Sequence, residues 1–491
     1  MKINPLTAID FYKADHRRQY PDGTEVVYSN FTPRTGKYAN TDLGGIIFFG
    51  LQGFIKTFLI EAWKEGFFLK DKAEVVSAYK RRMDNALGPD AISVEHIEAL
   101  HDLGYLPIEI KALPEGSFVP YGVPVLTIVN TKPKFFWITN YLESVMSAEL
   151  WKASTSATTA YAYYKEFARH GSKVGYGDET IQWQGHDFSF RGMGGLADAV
   201  VSGAGHLTSF TGTDTVSAID YLEEYYNGNS DEELLGGSVP ASEHSVMCMG
   251  TFEGEEETFK RFITELYPSG IVSIVSDTWD FWQVVTEFMP RLKSEIMYRN
   301  GRVVLRPDSG DPVDIICGTG AFNDPDHVRK GAYELLWETF GGVVNDKGFK
   351  VLDTHIGLIY GDSITLERQK EILRRLEMKG FSASNLVLGI GSYTYQFCTR
   401  DTHGFAMKAT WGVVNGEERE IFKDPKTDNG MKKSAKGLLK VDVVNGSYVL
   451  RDQVSVDDED RGCLTTVFKN GGIVKEHSIS EIRERVKSLE V

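Results

Sequence analysis

Seven segments in the middle of the chain end in side chains that could bind anions, sugars or metal ions. In each, a short apolar run is followed by Asp, Ser, His, Arg or Gly; the segments are HDFSFRG (186–192), LTSFTGTD (207–214), SVPASEH (238–244), VSIVSD (272–277), VVLRPDSG (303–310), GLIYGD (357–362) and LVLGIG (386–391). A single ending of this kind is adequately explained as a helix N-cap, because Asp and Ser cap well. Seven in succession, with Arg191, His244 and Arg306 among them, exceed what capping requires and predict one shared active site.

The residue types at these ends suit a phosphorylated sugar and a planar ring. Arginine binds phosphate through two parallel hydrogen bonds, and the backbone N–H groups of a loop such as GIGS (389–392) bind it as well. Aspartates suit ribose hydroxyls and Mg²⁺ held through phosphates, and the ring of Phe188 can stack on a heterocycle. No dinucleotide-binding G-x-G-x-x-G turn, P-loop, protein-kinase or α/β-hydrolase signature is found in the sequence.

The elements that must position these side chains are short strands and helices in alternation. Between residues 150 and 400, apolar runs and helical patterns alternate about one βα unit apart, which predicts a parallel sheet, either open or closed. In both forms the carboxyl ends of the strands meet at one edge, where ligands bind. The segment before it, 134–171, is predicted to form two helices that break near Ser154.

The flanking segments are richer in β patterns. Leu106–Thr131 has the alternation and the Pro and Gly punctuation of a β-meander. After residue 400, Asn-Gly follows apolar residues at 415–416, 445–446 and 470–471, which favours tight hairpins, and Ser478 and Glu481 have capping-box spacing for a final helix. We expect an N-terminal mixed α/β segment (1–150), a β/α catalytic domain (151–400) and a C-terminal β-rich segment (401–491) that completes a second domain with the first.

The composition excludes several classes of protein. The 491 residues exceed what one compact core usually takes. A net charge of −16 argues against nucleic acid or an anionic membrane as a partner. The four cysteines form no C-x-x-C pair, so neither a zinc site nor a disulfide framework is expected and a cytoplasmic location fits. We find no signal-peptide core and no apolar run long enough for a membrane helix.

A series of motifs runs nearly from end to end of the chain: DFYKADHRRQYP, LPIEIKALPEG, HDFSFRG, FTGTDTV, SVPASEHS, SIVSDTWD, RPDSG, YGDSI, TRD and FKDP. In these motifs and their order the chain resembles the nicotinamide phosphoribosyltransferases, which are type II phosphoribosyltransferases. The resemblance implies transfer of phosphoribosyl from 5-phosphoribosyl 1-pyrophosphate to nicotinamide, with Mg²⁺ as cofactor and ATP as co-substrate. It also implies an irregular β/α (TIM-like) barrel beside a β-rich domain, in a homodimer with shared active sites.

The resemblance assigns residues to the pyridine ring of the acceptor. Phe188 would stack on the ring and Tyr12 of the partner subunit would close the other face. Asp214 would accept a hydrogen bond from the carboxamide NH₂, and Arg306 would approach its oxygen. From the residues alone, Asp214 could instead cap the following helix, and one of Phe188 and Phe190 should face the core because they alternate in a strand.

The resemblance assigns further residues to the phosphoribosyl and phosphate side. Phosphates would contact Arg191, Arg400 and Lys408, with Arg34, Lys423 and Lys432 reaching the pyrophosphate or ATP from the dimer partner. The sugar and metal side would be lined by Asp277, Asp308 and Asp362. Gly391 and Ser392 belong to a phosphate loop that is richer in glycine in the family, so close approach at Ser392 is less favoured. The Mg²⁺ would be held through the substrate pyrophosphate, with no protein ligand assigned.

His244 has three possible roles. It could be a satisfied structural histidine, or a general base, although the pyridine nitrogen attacks as a neutral lone pair and requires none. The family suggests the third role, in which ATP phosphorylates His244, with Asp277 and Asp308 as the other catalytic residues. If SVPASEH is a strand, the neighbouring Glu243 points to the opposite face.

Three other functions compete with this prediction. A nicotinate phosphoribosyltransferase has the same fold, but the carboxylate of Asp214 would repel a nicotinate carboxylate. A barrel glycosidase would use strand-end carboxylates without needing the arginines. A non-catalytic binding protein would not need His244, Asp214, Arg306 and Asp308 together.

Overall fold

The structure is a computed structural model that describes residues 3–361, 363–423 and 435–489. The contacts within it divide the chain into two compact units. Unit 1 comprises Met1–Thr158, Tyr221–Gly228 and Thr399–Leu489, and unit 2 comprises Thr159–Asp220 and Asn229–Cys398. The division of the sequence into domains at residues 150 and 400 stays a prediction, because a compact unit need not fold independently.

The strands are mostly short. In chain order they are β1 (Thr24–Pro33), β2 (Gly45–Ile47), β3 (Ile108–Ala112), β4 (Phe118–Pro120), β5 (Leu126–Asn130), β6 (Gly185–Asp187), β7 (Gly212–Thr213), β8 (Ser269–Val275), β9 (Asn300–Arg306), β10 (Gly342–Val344), β11 (Lys350–Leu352), β12 (Ile356–Tyr360), β13 (Leu386–Ile390), β14 (Phe405–Val414), β15 (Glu417–Glu420), β16 (Leu438–Val444), β17 (Ser447–Val454), β18 (Thr465–Lys469) and β19 (Gly472–Ile473).

The helices range from single turns to one long helix, α6. In chain order they are α1 (His16–Gln19), α2 (Leu51–Phe54), α3 (Lys72–Leu87), α4 (Glu95–Leu103), α5 (Ile138–Tyr141), α6 (Glu143–Val174), α7 (Asp178–Gln184), α8 (Leu196–His206), α9 (Val216–Tyr225), α10 (His244–Met249), α11 (Glu255–Arg261), α12 (Phe281–Gln283), α13 (Met289–Arg291), α14 (Lys293–Tyr298), α15 (Pro312–Cys317), α16 (Asp326–Lys330), α17 (Ala332–Phe340), α18 (Leu366–Met378), α19 (Ser392–Gln396), α20 (Val456–Glu459) and α21 (Ile479–Lys487). Single 3₁₀ turns span Pro5–Thr7, Phe11–Ala14, Pro133–Phe135 and Phe190–Gly192, and π-helical turns span Ile55–Ala62, Lys64–Phe68, Phe262–Leu266 and Val284–Phe288. No helix among the described residues combines the length and apolar character needed to cross a bilayer.

Unit 2 is built on a six-stranded parallel sheet in the order β7-β6-β13-β12-β9-β8. Its register pairs Asp187 with Thr213 and with Ile390, and Val275 with Arg306. All five residues of β12 are buried, as expected for an apolar strand covered on both faces. Since all six strands run the same way, their carboxyl ends lie along one edge.

Two isolated parallel bridges extend the pairing beyond the outer strands β7 and β8. Gly237 bridges to Gly212, and Ala241 bridges to Ser273. Backbone hydrogen bonds accompany them: the Ser242 N–H donates to the Ser273 carbonyl at 2.9 Å, and the Ser273 N–H donates to the Pro240 carbonyl at 2.9 Å. The segment from Gly237 to Ser242 therefore pairs with both outer strands without forming a regular strand.

Unit 1 contains a seven-stranded sheet in the order β15-β14-β1-β5-β3-β18-β19. Its six strand pairings are all antiparallel, as between β1 and β14 and between β3 and β5. The predicted Asn-Gly hairpins are confirmed: Asn415, Asn445 and Asn470 have φ near 50°, and positive-φ glycines follow them, which suits two-residue turns. The capping box of Ser478 and Glu481 at the start of α21 is also confirmed.

The predicted break of the long helix near Ser154 is wrong, because α6 runs without interruption from Glu143 to Val174. Two threonine hydroxyls near Ser154 donate to carbonyls of the helix. Thr155 Oγ1 donates to the Trp151 carbonyl at 2.8 Å, and Thr158 Oγ1 donates to the Ser154 carbonyl at 2.6 Å. Such bonding four residues back along the helix lets Ser and Thr occupy its interior.

Candidate active site

The carboxyl ends of the unit 2 strands present most of the predicted side chains. Phe188 follows β6, Asp214 follows β7, and Asp277 lies two residues beyond β8. Arg306 is the last residue of β9, and Gly391 directly follows β13. The sheet therefore places these predicted groups along one edge, as the sequence pattern indicates.

A cavity of about 380 Å³ lies within unit 2. Phe188, Asp214 and Arg306 line it at the carboxyl ends of the strands, and Arg302 and Asn385 line it toward their amino ends. It is large enough for a planar ring and contains an aromatic, an acidic and a basic group together. A pocket of this kind suits a small heterocyclic ligand.

Asp214 is fixed by two hydrogen bonds to one of its oxygens. His186 Nε2 lies 2.9 Å from Asp214 Oδ1, and Ser238 Oγ donates to the same atom at 2.7 Å. Burial acts to raise the pKa of Asp214, but His186, Ser238 and the charge of Arg306 outweigh it, so the pKa lies below its usual 3.8. The side chain is therefore an oriented carboxylate at neutral pH.

The aromatic ring predicted for the site belongs to a half-buried residue. Phe188 packs against His186 with ring centroids 4.5 Å apart. The prediction that either Phe188 or Phe190 faces the core is wrong, because β6 ends at Asp187 and the chain turns into a 3₁₀ helix at Phe190, which is 40% exposed. The alternation of a strand does not continue beyond its last paired residue.

Arg306 reaches the cavity with part of its donor set unused. Its Nη2 donates to the Ser242 carbonyl at 2.8 Å. Its Nε is buried and has no hydrogen-bond partner among the described residues, and the same holds for the hydroxyl of Ser273, which also lines the cavity. Two buried donors without partners favour a ligand that carries an acceptor oxygen.

His244 is paired with Asp277. Its Nε2 lies 3.2 Å from Asp277 Oδ1. The second oxygen of Asp277 accepts the N–H of Asp308 at 2.9 Å and the hydroxyl of Ser309 at 2.6 Å. The Asp277 side chain is 4% exposed whereas that of His244 is 47% exposed, so a buried carboxylate orients an accessible imidazole.

The local structure around His244 differs from the sequence prediction of a strand end. His244 is the first residue of helix α10, and Glu243 occupies the N-cap position. The condition under which Glu243 was expected to point to the opposite face, a strand at this segment, is therefore not met. The bridges of Gly237 and Ala241 hold this segment without the alternation of a strand.

Two further residues predicted for the phosphate side of unit 2, Asp308 and Ser392, each pack closely against a glycine. A Cβ on Gly361 would lie 2.2 Å from Asp308 Oδ1, and one on Gly192 would lie 2.1 Å from Ser392 Oγ. Arg191 is exposed and belongs to the 3₁₀ turn Phe190–Gly192. This turn packs against Ser392, the residue that directly follows Gly391. Asp362 and Lys432 lie outside the described residues.

The other predicted residues belong to unit 1. Tyr12 and Arg400 line one cavity of about 450 Å³, and Tyr12 is 58% exposed. Burial lowers the pKa of Lys408; the charge of Glu143 opposes this shift, and the charges of Arg34 and Lys423 add to it. Since these cations repel one another, the group suits an anion.

Sequence reasoning missed several residues that build these sites. Asp187 is fully buried; its Oδ1 accepts the Ser189 N–H at 2.9 Å, and its Oδ2 accepts the Thr215 hydroxyl at 2.7 Å, which fixes the loop that carries Phe188. The sequence assigns no role to Ser238 or His186, which both contact Asp214. In the sequence, Asp187 and His186 are marked only by their position next to Phe188. Such a position identifies neighbours along the chain but not hydrogen bonds.

The chain was compared with known proteins. The nicotinate phosphoribosyltransferase (NAPRTase) family matches residues 183–471, and the N-terminal domain of nicotinamide phosphoribosyltransferase matches residues 4–110. The nicotinamide phosphoribosyltransferase of Acinetobacter baylyi is 60% identical over 494 residues, covering 99% of this chain and 97% of the relative. The chain belongs to the nicotinamide phosphoribosyltransferase family.

Further comparisons agree with this assignment. The nicotinamide phosphoribosyltransferase of Xanthomonas campestris is 33% identical, covering 98% of this chain and 97% of the relative. The solved nicotinate-nucleotide pyrophosphorylase of Pyrococcus furiosus shares the fold, with a TM-score of 0.57 at 15% identity over 99% of this chain and 97% of that one. The resemblance predicted from the motifs is confirmed, and the protein is a pentosyltransferase that transfers phosphoribosyl groups.

Proposed function

We propose that this protein transfers the phosphoribosyl group of 5-phosphoribosyl 1-pyrophosphate to nicotinamide, which yields nicotinamide mononucleotide and pyrophosphate for NAD salvage. The observation that carries the proposal is the oriented carboxylate of Asp214, which lines the same cavity as Phe188 and Arg306. An aromatic face, an acceptor and a donor are the three groups that a pyridine carboxamide requires.

The choice of nicotinamide over nicotinate follows from charge. Both hydrogen bonds to Asp214 end on Oδ1, so Oδ2 is available to accept the carboxamide N–H. Arg306 Nε and the Ser273 hydroxyl, both buried and without a partner among the described residues, would donate to the carboxamide oxygen. A nicotinate carboxylate would meet the Asp214 carboxylate instead, at a cost of roughly a few kcal/mol in a partly desolvated site.

The transfer itself needs positioning more than proton chemistry. The bond between C1 of the ribose and pyrophosphate ionises toward an oxocarbenium ion, and the neutral pyridine nitrogen attacks C1. No protein nucleophile or base is required for this step. Phe188 and Asp214 hold the ring in line, and cationic side chains stabilise the charge that develops on the leaving pyrophosphate.

Magnesium is the metal that we assign to the pyrophosphate. The ion would be bound mainly by substrate oxygens and water, as Mg²⁺ often is, and no protein ligand is assigned to it. When bound, it neutralises charge on the leaving group. The part of the protein is to orient the pyrophosphate.

ATP would act through His244. In the tautomer in which Nε2–H donates to Asp277, Nδ1 carries the lone pair and attacks the γ-phosphorus. The N–P bond forms as the bond to the bridging oxygen breaks, ADP leaves, and Asp277 stabilises the charge on the imidazole. Phosphohistidine would then favour binding of phosphoribosyl pyrophosphate or shift the equilibrium toward product.

The unit 1 residues would complete the active site of a partner subunit in a homodimer. Tyr12 would cover the face of the ring opposite Phe188, while Arg34, Arg400 and Lys408 would contact phosphates. The lowered pKa of Lys408 supports this role, since bound phosphate relieves repulsion among cations. Lys423 and Lys432 are assigned to the same phosphates.

The finer fold that we propose for unit 2 is an irregular β/α (TIM-like) barrel. The support is the pair of bridges by which the segment from Gly237 to Ala241 contacts β7 on one side and β8 on the other. A sheet whose two outer strands share one neighbour is closed.

The test is conversion of labelled nicotinamide or nicotinate by the purified chain with phosphoribosyl pyrophosphate, with and without ATP. We expect nicotinamide to be strongly preferred and Asp214→Asn to narrow the preference; an unchanged ratio of kcat/KM values would contradict the role of Asp214. His244→Ala should lose ATP hydrolysis and ATP stimulation but keep basal transfer. If this variant kept ATP stimulation, His244 would be a structural residue.

A further inference from the structure

The 3₁₀ turn that carries Tyr12 is anchored by a buried cation. Phe11 and Tyr12 are 52% and 58% exposed, whereas the next residue, Lys13, is only 5% exposed. The Lys13 ammonium lies 2.5 Å from Glu143 Oε2 and 2.9 Å from Asn140 Oδ1. A buried lysine is costly unless it is paired and hydrogen-bonded, so these contacts fix the turn against the start of α6.

A second contact ties the turn to the same helix. The Asp10 N–H donates to Ser144 Oγ at 3.1 Å, and Ser144 Oγ donates to Asp10 Oδ2 at 2.5 Å. Within the turn, the Lys13 N–H donates to the Asp10 carbonyl at 3.0 Å. The residues on both sides of Tyr12 are therefore bound to consecutive residues of α6.

Tyr12 lies between these two anchors and faces an open cavity. Its ring centroid lies 5.2 Å from the Lys13 ammonium and 5.0 Å from the ring of His16. The cavity also contains Arg400, and residues of α6 form one side of it. The backbone of the turn is thus ordered although the ring itself is accessible.

We propose that Lys13, Glu143 and Ser144 are positioning residues that hold Tyr12 ready to stack on the acceptor ring. The proposal rests on the proposed function of Tyr12. An exposed aromatic on a loose turn would have to be ordered at each binding event, which lowers affinity, whereas an anchored turn is ordered beforehand. The anchor should therefore govern binding of the ring and leave the phosphate chemistry of His244 unchanged.

The geometry argues against direct phosphate binding by Lys13. Lys13 lines the same cavity as Arg400, but its side chain is only 3% exposed and its ammonium is already held by Glu143 and Asn140. Its charge acts on Lys408 only at a distance. If Lys13 bound phosphate, its removal would raise the KM for phosphoribosyl pyrophosphate. If it positions Tyr12, its removal raises the KM for nicotinamide.

The experiment compares full-length Lys13→Met, Ser144→Ala, Tyr12→Ala and the Lys13→Met/Tyr12→Ala double variant. We expect Lys13→Met to raise the KM for nicotinamide about tenfold or more, without changing ATP hydrolysis or the KM for phosphoribosyl pyrophosphate. Lys13→Arg should restore part of the loss. Lys72→Met is the matched control, because Lys72 pairs with Asp102 on the surface.

The double variant separates positioning from general damage. If Lys13 acts through Tyr12, the double variant is no worse than Tyr12→Ala; additive losses would overturn the proposal. Ser144→Ala removes the second anchor without leaving a buried charge, so the proposal can still be tested if Lys13→Met fails to fold. An unchanged KM for nicotinamide in Ser144→Ala would count against the proposal. If Tyr12→Ala itself left this KM unchanged, the proposed function of Tyr12 would fail rather than the anchor alone.

Discussion

Glu255 should make unit 2 less stable as the pH rises. The residue is 1% exposed at the start of α11, and neither carboxyl oxygen has a hydrogen-bond partner among the described residues. Burial raises its pKa to about 7, and the negative charges of Asp280 and Asp277 raise it as well. Replacing it by Gln removes the ionisation while keeping the shape.

The magnitude follows from the two protonation states. Since a tenfold change in proton affinity corresponds to about 1.4 kcal/mol, a pKa raised from 4.5 to about 7 costs the folded protein about 3 kcal/mol once Glu255 is ionised. Below the unfolded pKa of 4.5, Glu255 is neutral in both states and costs nothing. As the pH rises toward 7 the unfolded chain gives up the proton first, so stability is lost across this interval and levels off above it.

Thermal melts of the wild type and Glu255→Gln between pH 4.5 and 8 measure this difference. We expect the Tm of the variant to rise relative to that of the wild type as the pH rises, by roughly 5–10 °C for a unit of this size. Glu257→Gln, at an exposed position in the same helix turn, is the matched control and should show no such trend. A gap between wild type and Glu255→Gln that stays constant with pH would refute the reasoning.

Two further substitutions test the phosphate side of unit 2. Asp277→Asn should reduce ATP hydrolysis at least tenfold, because an amide does not stabilise a charged His244 imidazole; a colorimetric phosphate assay measures this, and wild-type hydrolysis would contradict the pairing. Gly361→Ala should lower transfer activity by displacing Asp308, since the new Cβ would lie 2.2 Å from its Oδ1; wild-type kcat/KM at an unchanged Tm would show that the carboxylate has room to move.

The strand-end pattern predicts which residues share one edge of the sheet because it depends on a short-range rule. Asp277, Arg306 and Gly391 follow or end apolar runs that are strands, and parallel strands bring such residues to one edge. The hairpins and the capping box were equally predictable, because Asn-Gly and Ser-x-x-Glu act within a few residues. None of these predictions required knowledge of distant contacts.

The errors arose where tertiary contacts decide local structure. His244 begins a helix because bridges from Gly237 and Ala241 hold the preceding segment in place of a regular strand. Glu255 and Lys13 look like surface charges in EGEEETF and DFYKAD, and only packing buries them. Sequence reasoning identifies charged residues but not which of them the fold removes from water.

Two groups with opposite pKa displacements show how the charge of this acidic chain is distributed. The pKa of Lys408 is lowered by burial and by nearby cations despite the opposing charge of Glu143, and that of Glu255 is raised by burial and by nearby acids. In a chain of net charge −16, random placement would surround a lysine with acids and raise its pKa. Repulsion among clustered cations destabilises the folded protein. A bound anion is the simplest way to relieve this repulsion. Glu255 needs no counter-ion while it is protonated. The charge of Glu143 favours a charged Lys408, but this carboxylate already pairs with Lys13. A bound anion would therefore stabilise the cations around Lys408.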